Sequence, residues 1–105
     1  MNFNRDEVLS GKTKVNIVLE TDNTLAFHHT RPYYPVHIVV IPKQNIDSLV
    51  TLEDDALMLE LIKSVQTVAK LLLEEHGAAK VTTNLGDYQD TKHLHFHVGF
   101  GQPLR

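Results

Sequence analysis

An α+β domain is the fold class that this 105-residue sequence predicts. Three observations carry that expectation. Short β-patterned runs stand on both sides of the chain's middle, one long stretch at helical spacing separates them, and near the C-terminus three histidines alternate with large apolar residues. The length suits one core, so residues 1–105 are read as a single domain. A 42% hydrophobic and 22% charged composition is that of an ordinary globular protein. The formal charge of −3, with the seven histidines neutral, supplies no basic field to recruit a nucleic-acid polymer. The lack of cysteine excludes disulfides, zinc–thiolate sites and a thiol nucleophile together. Residues Met1 to Glu7 carry no apolar signal core, and no run approaches transmembrane length. A cytoplasmic protein with no membrane partner is therefore expected.

Residues 5–11 predict one short N-terminal helix, stopped by Gly11. Lys14 to Glu20 is rich in β-branched residues and predicts a strand, followed by a turn over Thr21-Asp22-Asn23-Thr24. Leu25-Ala26-Phe27-His28 resumes a short strand, which makes the pair a hairpin. Pro32 and Pro35 break the pattern around Tyr33-Tyr34. Val36 to Ile41 is the strongest strand in the chain, with His37 its one polar residue. Pro42 ends it, and Lys43 to Val50 predicts a loop. Thr51 is the expected cap of a helix over Glu53 to His76, with acids in the first turn and Gly77 as the stop. Its apolar positions cover an arc of roughly 160°, against the ~100° needed for one core contact. That excess is accounted for either by deep burial in a monomer or by contact of part of the helix with a second subunit. Ala79 to Leu85 predicts a fourth strand, and His93 to Phe100 the fifth.

The last strand raises the question of chemistry. In an extended chain His93, His95 and His97 share one face, while Leu94, Phe96, Val98 and Phe100 share the other. Imidazole titrates near neutral pH, so three on one surface suit an anionic, metallic or reactive partner. Two chemistries fit. Two alternating histidines can ligate one zinc, but the third lies too far along a straight strand, so His37 would have to complete the set of His93, His95 and His37. Alternatively one imidazole attacks a phosphoryl or acyl centre while the others hold charge and deliver protons.

The run His93-Leu94-His95-Phe96-His97-Val98-Gly99 resembles the motif of the histidine triad (HIT) superfamily. The likeness extends to Leu25-Ala26-Phe27-His28, to Pro35-Val36-His37-Ile38-Val39-Val40-Ile41-Pro42-Lys43 and to Thr83-Asn84-Leu85-Gly86, in the order of the Hint branch. The resemblance implies a HIT-like fold with an antiparallel sheet of about five strands. It also implies nucleotide phosphoramidate or phosphoester hydrolysis, or nucleotidyl transfer, through a covalent nucleotidyl-histidine. By position His95 would be the nucleophile, His97 would contact phosphate oxygens, and His93 would support the triad. His37 would hold His95 in the attacking tautomer. Asn84 would lie near the phosphate, with Phe27, His28, His29 and Gln89 about the nucleotide. A purine nucleotide substrate and a homodimer are implied, with no metal and no cofactor.

The chain departs from the family pattern at three places. His29 stands where an aspartate for the ribose hydroxyls is usual, Asp90 stands three before the triad in place of serine or glutamine, and Asn45 replaces a further histidine. A non-catalytic nucleotide-binding module is the alternative that these departures motivate.

Overall fold

A computed structural model describes residues 14–105. The helix expected over residues 5–11 lies outside the described residues. Five strands form one sheet: β1 (Ile17–Glu20), β2 (Thr24–His28), β3 (Val36–Pro42), β4 (Lys80–Thr83) and β5 (Phe96–Phe100). Their order is β1-β2-β3-β5-β4, and every neighbouring pair is antiparallel. One helix, α1 (Asp55–His76), connects β3 to β4. The α+β expectation with about five strands and one long helix is met. No helix among the described residues is long and apolar enough to cross a membrane.

The sheet has two differently used faces because side chains alternate along each strand. Ala26, Ile38, Val40, Phe96 and Val98 face the helix and pack with Leu57, Leu61, Val65, Val68 and Leu72. Leu25, Phe27, Val39 and Ile41 make a second buried cluster on the opposite face. β3 is buried almost throughout because it is central and apolar on both sides. The hairpin turn is fastened to α1 by Glu60, whose carboxylate accepts from the Thr21 hydroxyl (2.5 Å), the Asn23 amide (3.1 Å) and the Asn23 side chain (2.9 Å). Behind it, buried Thr24 and Ser64 satisfy each other across 2.8 Å.

Several predicted boundaries move, each for a local reason. The helix begins at Asp55, not Glu53, and its cap is Asp54, whose carboxylate accepts the Leu57 N–H at 3.0 Å. Thr51, the expected cap, instead exchanges hydrogen bonds with Ser48 in a short 3₁₀ turn over Leu49–Thr51. Gly77 stops the helix as expected, at φ +83°, with its N–H donated to the Leu73 carbonyl. β1 starts at Ile17 and is irregular between Ile17 and Leu19. β4 is limited to four residues. β5 starts only at Phe96, so His93 and His95 precede the ladder. There the chain is held by the Leu94 N–H donated to the Ile46 carbonyl at 2.7 Å.

Leu61 is wholly buried where α1 meets the sheet. Leu61→Ala is expected to cost about 2–5 kcal/mol of unfolding free energy in urea titration, since the cavity left there cannot collapse. Gln66→Ala, at an exposed position on the same helix, is expected to change stability by less than about 0.5 kcal/mol.

Candidate functional site

The site occupies the sheet face away from the helix, where β2, β3 and β5 run side by side. Cross-strand register sets its composition: Phe27 lies opposite Val39, Val39 opposite His97, and His37 opposite Gly99. The His29 N–H continues the ladder past β2 by donating to the His37 carbonyl at 2.8 Å. The His29 and His37 rings consequently stack, with centroids 4.5 Å apart and 29° between planes. Gly99 leaves room beside His37 that the Tyr34 ring fills; a Cβ at Gly99 would stand 2.7 Å from it. Tyr34 meets His37 edge-on at 5.4 Å.

Main-chain groups determine where each imidazole carries its proton, because an amide can only donate and a carbonyl can only accept. The Tyr33 amide donates to His37 Nδ1 at 3.0 Å, so neutral His37 has its proton on Nε2. That proton is donated to His97 Nδ1 at 2.8 Å, which leaves the His97 proton on Nε2. His95 Nδ1–H donates to the His93 carbonyl at 2.7 Å, so the unshared pair of His95 is on Nε2. His93 Nε2–H donates to the Pro42 carbonyl at 2.9 Å. His29 Nδ1 accepts the Arg31 amide at 2.9 Å, and its proton is therefore on Nε2. One expectation is corrected here. His37 engages His97 rather than His95, whose tautomer is set by the backbone two residues before it.

Burial disfavours the charged form of His29, His37 and His97. It lowers His37 to about 3, helped by His29, His97 and His95. It lowers His97 to about 4, with His95 and His29 adding to the shift and Asp90 opposing it. His29 is also lowered, first by burial, then by His95 and Arg105, with Asp90 opposing and Arg31 adding. At neutral pH the paired imidazoles are hydrogen-bonding groups rather than cations.

An open cavity of about 540 Å³ lies over this face, and His95, His97, His29, Arg31, Arg105 and Asp90 are among its walls. Of the expected site residues, His95, His97 and His29 therefore meet at one cavity. His37 stands behind His97, 3% exposed, and His93 is fully buried beneath His95. Phe27 is on the same sheet face but packed into the Leu25, Val39 and Ile41 cluster. His28 is exposed and outside the cavity wall, because the alternation that brings His29 inward turns its neighbour away. Asn84, just beyond β4, is half-buried and outside the wall. Gln89 is also outside it, with its amide donated to the Asp47 carbonyl at 2.8 Å. Arg105, Thr30 and Thr91 are wall residues that sequence reasoning missed, and Arg105 is the charged one. Its guanidinium reaches the Arg31 carbonyl at 2.8 Å and covers the Tyr33 ring at 4.7 Å. No periodicity marks such a contact between chain segments 74 positions apart.

The candidate metal set among the described residues differs from the expected one. Ring nitrogens of His29, His37 and His97 lie within 4.8 Å of one another. Metal-ligating histidines, however, donate their second N–H to a carbonyl or carboxylate. Here amides of Arg31 and Tyr33 donate to Nδ1 of His29 and His37, which places protons on the nitrogens a metal would need. The donor set does not fit a metal ion.

Comparison with known proteins agrees with the motif. The HIT domain family model matches residues 10–102. An uncharacterised HIT-like protein of Synechococcus elongatus is 36% identical over 101 residues, covering 93% of this chain and 89% of that protein. A solved structure described as a HIT-like protein is 30% identical with a TM-score of 0.83, covering 97% of this chain and all of the other. A HIT family hydrolase from Legionella pneumophila has the same fold at 23% identity, with a TM-score of 0.79 over 94% of this chain and 92% of its own. The chain belongs to the HIT family.

Proposed function

We propose that this protein, acting as a single HIT domain, is a nucleotide phosphoramidate or phosphoester hydrolase, or a nucleotidyl transferase, working through a covalent nucleotidyl-histidine. The observation that carries this reading is the 2.7 Å hydrogen bond from His95 Nδ1–H to the His93 carbonyl. It leaves the Nε2 pair of a cavity-lining ring available for attack. In the first step His95 Nε2 bonds to phosphorus, and the bond from phosphorus to the leaving group breaks. The leaving group keeps that electron pair and takes a proton from solvent, which the open cavity admits. In the second step water attacks phosphorus, the P–Nε2 bond breaks, the pair returns to His95, and the water's proton passes to solvent. An acceptor hydroxyl in place of water gives transfer.

His97 supports this chemistry as a donor. Its Nε2–H suits a nonbridging oxygen on which charge builds, and His37 holds it there through Nδ1. His93 serves through its carbonyl, and its own ring is anchored to Pro42. A purine nucleotide as natural ligand and a cytoplasmic location belong to the same proposal. So does a homodimer, for Leu59, Ile62 and Leu73 on α1 stay 57%, 37% and 53% exposed, and sedimentation across concentrations would reveal a monomer if the dimer is wrong.

The enzyme is tested with adenosine 5′-phosphoramidate, with and without a chelator. Turnover insensitive to chelator is expected. His95→Ala should lower it roughly 10³-fold or more while the circular dichroism spectrum is retained, and His97→Ala should cost roughly 10²-fold in kcat. Tight nucleotide binding without turnover would establish a binding module instead. Stability supplies a second test. His37 at about 3 and His97 at about 4 lie below the usual 6.5, so between these limits the unfolded chain binds more protons than the folded one. Their contribution to stability is complete above pH 6.5 and is lost as pH falls through that window. Tm should be level from pH 7 to 8 and decline from pH 6 to 4. The decline should be shallower in His37→Asn, and an equal decline in both proteins would contradict the neutral pair.

A further inference from the structure

The cavity that His95 and His97 line has further donors in its wall. His29, Arg31 and Arg105 wall it, and each offers donors there. The Arg31 amide holds Nδ1 of His29, so Nε2 presents only a proton. Arg105 is not a free surface side chain. One guanidinium nitrogen is fixed on the Arg31 carbonyl at 2.8 Å, and the group lies 4.7 Å above the Tyr33 ring. The Leu104 N–H, donated to the Tyr33 carbonyl at 2.6 Å, ties the segment that carries it. A guanidinium fixed in this way keeps further N–H donors for a ligand and loses less freedom on binding one. Among the described residues Asp90 is the one acidic side chain in the cavity wall, set against two guanidiniums. A sugar hydroxyl both donates and accepts, whereas a phosphate oxygen only accepts, so a wall rich in charged N–H donors favours phosphate over a hydroxyl.

We infer that His29, Arg31 and Arg105 form a subsite for a second phosphate, carried on the sugar of the nucleotide whose 5′-phosphoryl group faces His95 and His97. The inference rests on the nucleotide reading of the site. The His29 and His97 rings are 6.1 Å apart, so the proposed subsite adjoins the phosphoryl end of the same cavity. The preferred ligand is thus a nucleoside bisphosphate, or a 5′-phosphoramidate or 5′-phosphoester carrying a 2′- or 3′-phosphate.

Calorimetric titration of the full chain with AMP, adenosine 3′,5′-bisphosphate, adenosine 2′,5′-bisphosphate and pyrophosphate tests the subsite without requiring turnover. One of the two bisphosphates should bind about tenfold or more tightly than AMP, with the advantage shrinking as salt is raised. Which one does so identifies the sugar position. The ratio should fall to near one in Arg31→Ala/Arg105→Ala. His29→Asp, which replaces a donor with acceptors, should shift preference to AMP. Equal binding of AMP and both bisphosphates, or a preference unchanged in the arginine variant, would overturn the subsite while leaving the nucleotide reading standing. Pyrophosphate binding that needs both arginines, with no binding of any adenosine compound, would support the anion site and sink the nucleotide reading. A chain that binds none of the four overturns both.

Discussion

The pairing of β3 with β5 in a single register is the constraint on which the site depends. It sets Val39 against His97 and His37 against Gly99, and thereby puts two imidazoles within hydrogen-bonding distance. A slip of one residue would send His97 toward the helix and Val98 into the cavity. Such a slip is resisted because Ile38, Val40, Phe96 and Val98 are all buried against α1. The hydrophobic demand on one face thus positions the polar groups of the other. The same geometry explains Gly99, since the ring of Tyr34 occupies the place of its missing side chain and bears on His37.

Placing imidazoles in so dry a setting has an electrostatic consequence. A buried cation beside other nitrogen heterocycles would be uncompensated, and the cluster avoids this by remaining neutral. Neutral imidazole is both donor and acceptor, so the rings can be chained: Tyr33 amide to His37, and His37 to His97. Every direction in that chain starts from a main-chain group that has no alternative role. The tautomers therefore follow from the fold rather than from pH, and the lone pair of His95 is fixed in the same manner by a carbonyl.

Much of this was legible in the residues and part was not. Alternation in 93–100 separated core from site, and Leu94, Phe96 and Val98 do lie in the helix-side core. His37 stood out as the polar residue in an otherwise apolar strand, and the HIT motif named its companions. What alternation could not reveal is that His93 and His95 precede the ladder, because a segment pinned by the Ile46 carbonyl and by the Pro42 carbonyl at the end of β3 can look the same as a strand in sequence. Nor could it reveal which imidazole pairs with which, since that depends on cross-strand register. Thr51 was the expected cap, and Asp54 takes that place because the threonine hydroxyl is engaged by Ser48. Arg105 was hidden for a different reason, as its place depends on the last residues running on past β5 alongside residues 31–35 and not on any local pattern.

The two ends of the cavity are constructed differently, and this difference bears on how such a site can change. At the His95 end the decisive partner is a backbone carbonyl, which a side-chain substitution in the cavity wall leaves in place. At the other end the character of the wall is set by the side chains of His29, Arg31, Arg105 and Asp90. Of these only His29 belongs to the stacked imidazoles, and its Nδ1 is already engaged by an amide outside the His37–His97 pair. Exchange of residues at that end can therefore convert a wall of acceptors into one of donors without reorienting His95. A histidine at position 29 is compatible with the phosphoryl chemistry proposed for His95 because attack and ligand selection rest on separate sets of atoms.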